Sequence, residues 1–272
     1  MQLEKKKRCI AFIGDSFCAA INSDHYVRNG RSRLQYGIKD PDRASFPSLV
    51  AEHYDLNLLA HGYNGKSWWF SRTQFLKQLA DNPKIKNKLD AIVFCHTDRH
   101  RINSDSIYAS SVNHGPTPRE DTSYADKEDQ LTSQAQVQWI KHLYDDNFQL
   151  WSQLNWFREI SNEWSHVKQV HFHCFTSEQQ HNDLLIGQRF TTPLIHVSVS
   201  ELKGSIREIR NQLANDSARA NHMNNDNNRT LAKITIDALD NYEHKIRPID
   251  MSMFSIANPN YDKFPLGNFG SN

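Results

Sequence analysis

The chain has 272 residues, 32 Lys and Arg against 31 Asp and Glu, and a formal net charge of +1. This balance gives no global argument for binding to nucleic acid or to a membrane surface, and no apolar run approaches the length that spans a bilayer. A hydrophobic content of 38% and a mean hydropathy of −0.72 indicate long polar loops around one core. We therefore expect one domain over residues 1–243, with a polar insertion around 98–130, and an irregular tail over 244–272.

The cysteines and the N-terminal segment bear on the cellular compartment. None of the four cysteines forms a Cys-x-x-Cys pair, and three of them lie in predicted core strands, where a free cysteine behaves as a small apolar residue. The polar segment 1–8 is not followed by the apolar region of a signal peptide. We therefore expect no disulfide framework, and a location in a reducing cytoplasm. The cysteines are Cys9, Cys18, Cys95 and Cys174.

Short apolar runs alternate with helical patterns along the chain. This alternation is typical of a doubly wound α/β fold, in which a parallel sheet is covered by helices. The predicted strands are 8–13, 56–60, 90–95, 167–175 and 193–199. The predicted helices are one that begins at residue 46, and 70–80, 131–164, 201–213 and 225–239.

The longest helical pattern covers residues 131–164. Aromatic and aliphatic side chains recur there at helical spacing, among them Trp139, Leu143, Trp151 and Trp164. Such a stripe predicts one long helix that packs on the sheet.

The segment Gly14-Asp15-Ser16 directly follows the first predicted strand. Gly-Asp-Ser behind an apolar run indicates a sharp turn, and in open α/β sheets ligands bind outside the carboxyl ends of the strands. Ser16 is therefore placed as a candidate nucleophile, which acts only if a base and oxyanion donors meet it. A serine that caps the following helix would give the same pattern.

Later polar segments supply candidate partners for this serine. Gly65 lies in the loop after the second strand, where a backbone N–H can approach a ligand or simply form part of a turn. After the third strand, Thr97 can donate a hydrogen bond to an oxyanion, and Arg99 or Arg101 can bind an anionic group. His222 stands at the entrance of the last predicted helix, as a base or as a surface histidine.

Four of these segments together resemble the SGNH, or GDSL, hydrolase family. The sequence Ile-Gly-Asp-Ser-Phe at 13–17 resembles the first block of that family, and His-Gly-Tyr-Asn-Gly-Lys-Ser at 61–67 resembles the second. Residues 96–98 lie where the third block belongs, and 221–223 lie where the histidine block belongs. The order and the rough spacing of the blocks fit over about residues 8–240.

The resemblance implies a three-layer α/β/α sandwich with a parallel, flavodoxin-like sheet, and hydrolysis of an ester or acyl bond without a cofactor or a metal. Ser16 would attack the carbonyl, and His222 would take its proton and later protonate the leaving group. The backbone N–H groups of Ser16 and Gly65, together with the hydroxyl of Thr97, would hold the oxyanion.

Two positions depart from the family pattern. Thr97 stands where the family has an oxyanion asparagine. Arg219 stands three residues before His222, where the orienting acid belongs, and Asp216 is the remaining candidate for that acid. The candidate substrate-binding residues are Asp15, Asp98, Arg99 and Arg101.

For a hydrolase of this type, we expect an acylated carbohydrate or another small ester as the substrate, and neither nucleic acid nor a membrane as a partner. A second hypothesis is a non-catalytic binding or virion-associated structural module on the same fold. The tail would then bind a virion partner or a second copy of the chain. The long polar insertions look similar to divergent phage-encoded members, which would place the protein in a host cytoplasm or in a virion.

A metal site is a third hypothesis. His171 and His173 lie on one face of a predicted strand, because side chains alternate along a strand. His96 and His100 flank the end of the third strand, next to Cys95. None of these spacings is that of a recognised zinc site, so we expect no metal.

Overall fold

In a computed structural model, the described part of the chain consists of residues 8–18, 45–63, 67–97, 138–139, 141–174, 187–197 and 225–254, with Ala135 and Met223; Ser16 and Tyr63 are described by their backbone alone. Six parallel strands form one sheet in the order β2-β1-β3-β4-β5-β6. The order 2-1-3-4-5 is that of flavodoxin-like sheets. The strands are β1, Cys9–Asp15; β2, Asn57–Tyr63; β3, Leu89–His96; β4, Lys168–His173; β5, Gln188–Phe190; and β6, Ile246–Arg247.

Helices cover both faces of this sheet. Along β1, Ile10 and Phe12 pack against α1 and α4, whereas Ala11 and Ile13 pack against α2 and α3. This alternation along one strand produces two separate apolar layers. The predicted three-layer α/β/α fold with a parallel, flavodoxin-like sheet is therefore confirmed. The helices are α1, Phe46–His53; α2, Trp68–Asp81; α3, Asp146–Glu163; and α4, Asn225–Asp240.

The ends of the helices follow from local sequence. Ser67 precedes α2, and its side chain accepts a hydrogen bond from the backbone N–H of Phe70 at 3.4 Å. Asp145 precedes α3 and accepts from the N–H of Phe148 at 3.0 Å. Pro47 lies in the first turn of α1, where its missing N–H costs nothing.

The prediction of one continuous helix over 131–164 is wrong. Some residues before position 143 are helical, but the chain turns at Leu143 and restarts as α3 behind the Asp145 cap. The expected apolar stripe fails in the same region, because Leu143 and Trp151 are exposed. Helical spacing continued through the break, so periodicity alone did not reveal the cap.

The fifth strand is also not where the sequence predicted it. The segment Leu194–Val197 is a short 3-10 helix, and the strand beside β4 is Gln188–Phe190. Pro193 has no N–H to give to a sheet, and its carbonyl instead accepts from His196 at 3.0 Å. Gly187 leads into β5 with φ 104°, and a Cβ there would collide with the carbonyl of Gln169.

Part of the tail expected to be irregular from residue 244 is ordered into the sheet. β6 pairs in parallel with β5, and Arg247 lies 4.9 Å over the ring of Phe190. The predicted helix at 201–213 and the insertion at 98–130 lie outside the described residues. Among the described helices, none is both long enough and apolar enough to cross a membrane.

Candidate active site

The strand order places one crevice at the carboxyl ends of β1 and β3. The chain leaves β1 toward β2 on one side of the sheet and returns to β3 on the other, and such a reversal is where open α/β sheets bind ligands. Ser16 opens the 3-10 turn Ser16–Cys18 directly behind β1. Thr97 follows β3 at the same edge.

The side chain of Asp15 joins three strand ends at this edge. It is fully buried, and its Oδ1 accepts from the backbone N–H of Phe17 at 3.0 Å. Its Oδ2 accepts from Thr97 Oγ1 at 3.1 Å, and Cys174 Sγ, just past β4, donates to Oδ1 at 3.2 Å. A buried carboxylate held in this way fixes the backbone on both sides of Ser16.

Gly14 brings β1 close to both β3 and α2. A Cβ at this position would collide with the carbonyl oxygen of Cys95, so only glycine permits the approach. The carbonyl of Gly14 accepts a hydrogen bond of 2.5 Å from Ser71 Oγ on α2. The start of the serine turn is therefore anchored to the sheet and to a helix at once.

Three buried thiols lie beneath this turn. Burial raises the pKa of Cys174, and the negative charge of Asp15 adds to the rise. Burial also raises the pKa of Cys95 well above its ordinary value, and hydrogen bonds with Cys174 and Cys18 act in the same direction. The thiols of Cys95 and Cys174 therefore stay protonated at neutral pH and are poor nucleophiles.

Three histidines stack near the carboxyl ends of β3 and β4, on the face of the sheet that α2 and α3 cover. His96 Nε2 and His171 Nδ1 are 2.9 Å apart, with their rings nearly parallel. The ring of His173 stacks on that of His96 at 5.1 Å. Within the described parts of the chain, no group of histidine, cysteine or acidic side chains is arranged to hold a metal ion. This distance is that of a direct hydrogen bond between the rings of His96 and His171.

A small pocket opens between this edge and the helices α2 and α3. Gly14, Thr97, Trp68, Trp156 and Phe157 are among the residues that line it. Its free space is about 10 Å³, which is room for about one water molecule. The indole rings of Trp68 and Trp156 stack at 5.6 Å and form its aromatic wall.

The structure brings together part of the predicted site. Asp15 and Thr97 are hydrogen-bonded to each other beside the backbone of Ser16. The Thr97 hydroxyl donates its hydrogen bond to Asp15 Oδ2. It could contact an oxyanion only after this hydrogen bond is broken. Substrate binding by Asp15 stays a prediction, because the contacts described for it are with protein groups. The predicted residues that lie outside the described parts of the chain are Gly65, Asp98, Arg99, Arg101, Asp216 and His222.

Sequence reasoning missed Cys174 and Trp68. Cys174 follows a core strand, and its place at the carboxyl end of β4 was the available signal for a role beside Asp15. Trp68 lies just behind the glycine loop, which was a signal for a place near the site.

No family model matches the chain, and no match was found among the curated proteins. Among solved structures, the chain is similar to one described as a carbohydrate esterase whose active site displays divergent catalytic and non-catalytic binding functions. The identity is 14%, the TM-score is 0.36, and the match covers 89% of this chain and 67% of that chain. A similarity this distant carries no weight for the fold or the function.

Proposed function

We propose that this protein is a serine-dependent ester hydrolase in which Ser16 is the nucleophile and His222 is the general base. The observation that carries the proposal is the fixed turn behind β1. Asp15 accepts from the N–H of Phe17 and ties the turn to Thr97 and Cys174 at the reversal of strand order. A nucleophile in an acyl-transfer enzyme needs this kind of pre-organised backbone, because its N–H groups also serve the oxyanion.

The roles within the reaction follow the usual chemistry of a serine nucleophile. Ser16 adds to the ester carbonyl while His222 accepts its proton, and the protonated histidine then gives that proton to the leaving alcohol. The N–H groups of Ser16 and Gly65 stabilise the tetrahedral oxyanion. Water then hydrolyses the acyl-enzyme through the same base. Asp216 is the proposed acid that orients His222.

Loss of one hydroxyl tests this proposal. Hydrolysis of p-nitrophenyl acetate by Ser16→Ala should fall by on the order of 10³-fold or more, and His222→Ala should lose a comparable amount, because the two groups act as a unit. Ser165→Ala is the control. Ser165 is an exposed serine just before β4, so it lies at the amino-terminal ends of the strands, opposite the candidate site. Hydrolysis by Ser16→Ala at the wild-type rate would contradict the proposal.

A binding module without catalysis is the second candidate function. The observation that favours it is the Thr97 hydroxyl, whose proton is directed at Asp15 and away from an oxyanion. A wild-type protein that hydrolyses no acetyl ester, and whose Ser16 does not react with a phosphonate, would support this module and contradict the hydrolase.

A further inference from the structure

A thiol from the end of β4 reaches the carboxylate that directly precedes Ser16. Cys174 Sγ donates to Asp15 Oδ1 at 3.2 Å, and both side chains are fully buried. β4 is not a neighbour of β1 in the sheet, because β3 lies between them. Adjacent strands are about 4.8 Å apart, so backbone hydrogen bonds cannot join β1 to β4. The two side chains therefore make a connection across the end of β3 that the sheet itself does not supply.

The backbone of Cys174 is held on both sides. Its N–H donates to the carbonyl oxygen of His96 at 2.9 Å, and its own carbonyl oxygen accepts from the N–H of Ile195 at 2.9 Å. His96 directly precedes Thr97, whose hydroxyl also donates to Asp15. The thiol and this hydroxyl are thus held by one pair of hydrogen-bonded strand ends, and each donates to a different oxygen of the same carboxylate.

The carboxylate connects the thiol to the serine turn. Asp15 Oδ1, which accepts from Cys174, also accepts from the backbone N–H of Phe17 at 3.0 Å. A second thiol acts on the same turn, because Cys18 Sγ donates to the backbone carbonyl oxygen of Asp15 at 3.4 Å. Ser16 lies between these bonded groups, so the direction of its backbone N–H depends on them.

A cysteine at position 174 can donate a hydrogen bond while it packs among apolar side chains. Cys174 belongs to the apolar layer beneath α1 and α4, together with Phe172 and Leu194. Burial raises the pKa of Cys174, and the negative charge of Asp15 adds to the rise, so the thiol keeps its proton at neutral pH. An ionised carboxylate only accepts hydrogen bonds. An apolar side chain at position 174 would fill the same space but would give Asp15 no donor.

Oxidation to a disulfide is a different role that neighbouring thiols can have. Cys95 is level with Phe172 in the register of β3 and β4, so it is two positions from Cys174 along the strands. Two residues of strand rise and one strand spacing place the Cα atoms of Cys95 and Cys174 about 8 Å apart, and a disulfide spans less than about 7 Å. A disulfide would therefore require movement of the backbone, whereas the hydrogen bond to Asp15 requires none.

We propose that Cys174 is a positioning residue for ester hydrolysis. Its S–H holds Asp15 in place, and Asp15 holds the backbone N–H of Phe17, so the oxyanion N–H of Ser16 keeps its direction. The proposal rests on the proposed hydrolase function. Cys174 is fully buried, so it acts through Asp15 and not on the substrate. Its loss should therefore lower kcat with little change in KM.

Two substitutions at position 174 separate hydrogen bonding from packing. Cys174→Ala removes the donor, and kcat for p-nitrophenyl acetate should fall by about tenfold or more, because a small displacement of an oxyanion donor is costly. Cys174→Ser keeps a donor, and its kcat should stay within about threefold of the wild type. Cys9→Ala is the matched control, since Cys9 is a buried cysteine at the start of β1 in the other apolar layer. Urea denaturation of all three variants shows whether lost stability alone explains a lost rate.

The thiol can also be observed without turnover. The infrared S–H stretching band that is lost in Cys174→Ala should lie at a lower frequency than the band lost in Cys9→Ala, because a carboxylate acceptor weakens the S–H bond. A Cys174 band at the frequency of an unbonded thiol would show that the bond to Asp15 is absent in solution. That result would overturn the proposal whatever the rates are.

The kinetic outcomes separate this proposal from the hydrolase itself. If Cys174→Ala hydrolyses the ester as fast as the wild type, or no slower than Cys9→Ala, positioning by the thiol is wrong while hydrolysis by Ser16 stands. Equal losses of kcat in Cys174→Ala and Cys174→Ser would also contradict it, because the serine keeps a donor. If Ser16→Ala hydrolyses at the wild-type rate, the hydrolase is wrong and the positioning role fails with it, and the infrared band then reports a structural bond only.

Discussion

The two faces of the sheet have different chemistry. The face beneath α1 and α4 is packed mainly by apolar side chains and thiols, such as Phe12, Phe172 and Cys95, and its buried amides Asn227 and Asn228 donate to backbone carbonyl oxygens. The face beneath α2 and α3 also buries imidazoles and amides, including His171 and Gln169. Buried polar groups cost stability unless they are bonded. Among the described residues, the amide of Gln153 and the indole N–H groups of Trp68 and Trp164, all on the second face, have no hydrogen-bond partner, so this face carries a cost of unsatisfied polar groups.

The largest expected effect concerns the apolar face. Phe172 is fully buried and stacks on Phe190 at 4.7 Å. Phe172→Ala should lower the free energy of unfolding by about 3–5 kcal/mol, because it leaves a cavity among well-packed rings. Urea denaturation measures this change, with Met253→Ala at an exposed position as the control. A loss of unfolding free energy no larger than that of Met253→Ala would contradict the view that the apolar face contributes most to stability.

The next effect concerns the carboxylate that joins the strand ends. Asp15→Ala leaves the Phe17 N–H and the hydroxyl of Thr97 buried without their acceptor, so we expect a loss of about 2–4 kcal/mol in unfolding free energy. Hydrolysis should fall together with stability. Asp15→Asn is the matched control, since its amide oxygen can still accept from Phe17 and its amide nitrogen can donate to Thr97. Equal losses in the two variants would argue against this hydrogen-bond network.

Two of the buried glutamines, Gln153 and Gln169, should give effects of opposite sign on the free energy of unfolding. Gln153→Leu removes an amide that has no partner among the described residues, and it should raise the unfolding free energy by about 1 kcal/mol. Gln169→Leu breaks two hydrogen bonds to α3 and should lower it by about 1–2 kcal/mol. Thermal and urea unfolding of both variants and of the wild type measures the sign of each change in unfolding free energy. Destabilisation by both substitutions would mean that Gln153 is bonded in solution and has a structural role.

The smallest effect depends on pH at the far edge of the sheet. A hydrogen bond from Arg247 lowers the pKa of Asp237, so the ionised carboxylate stabilises the fold above its unfolded pKa of about 3.9. That contribution is lost as the pH falls through the lower folded pKa. The pair is largely exposed, so its energy is below about 1 kcal/mol.

Arg247→Met measures this contribution. The stability difference between this variant and the wild type should be larger at pH 7 than in strong acid. The part that persists in acid reports the packing of Arg247 on Phe190. Arg229→Met is the control. Arg229 forms an exposed ion pair with Asp226, and both residues of that pair lie in α4. A difference that grows on acidification would contradict the direction of the shift.

The sequence predicted the central elements well, because long apolar runs and caps are local signals. β1, β3 and α4 were expected within a few residues of their observed ends. β5 escaped prediction because it has three residues, and a longer apolar run around Pro193 drew the assignment away. β6 has only two residues, and nothing local distinguishes it from an irregular tail.

The candidate site was predictable only in part. Ser16 was singled out by the Gly-Asp-Ser turn behind a strand, and Thr97 by its place behind another. The contact between Asp15 and Cys174 joins positions 159 residues apart, and only the sheet register brings them together. The stacking of Trp68 on Trp156 in the pocket wall likewise has no signature in sequence, because it depends on how α2 and α3 pack together.

Mapping of a covalent adduct tests the central claim most directly. The wild-type protein is treated with a fluorophosphonate probe, digested, and analysed by mass spectrometry. The account predicts one adduct on the peptide that contains Ser16, absent in Ser16→Ala, slow to form in His222→Ala and unchanged in Ser165→Ala. A wild-type protein that hydrolyses p-nitrophenyl acetate while Ser16 stays unmodified would contradict it.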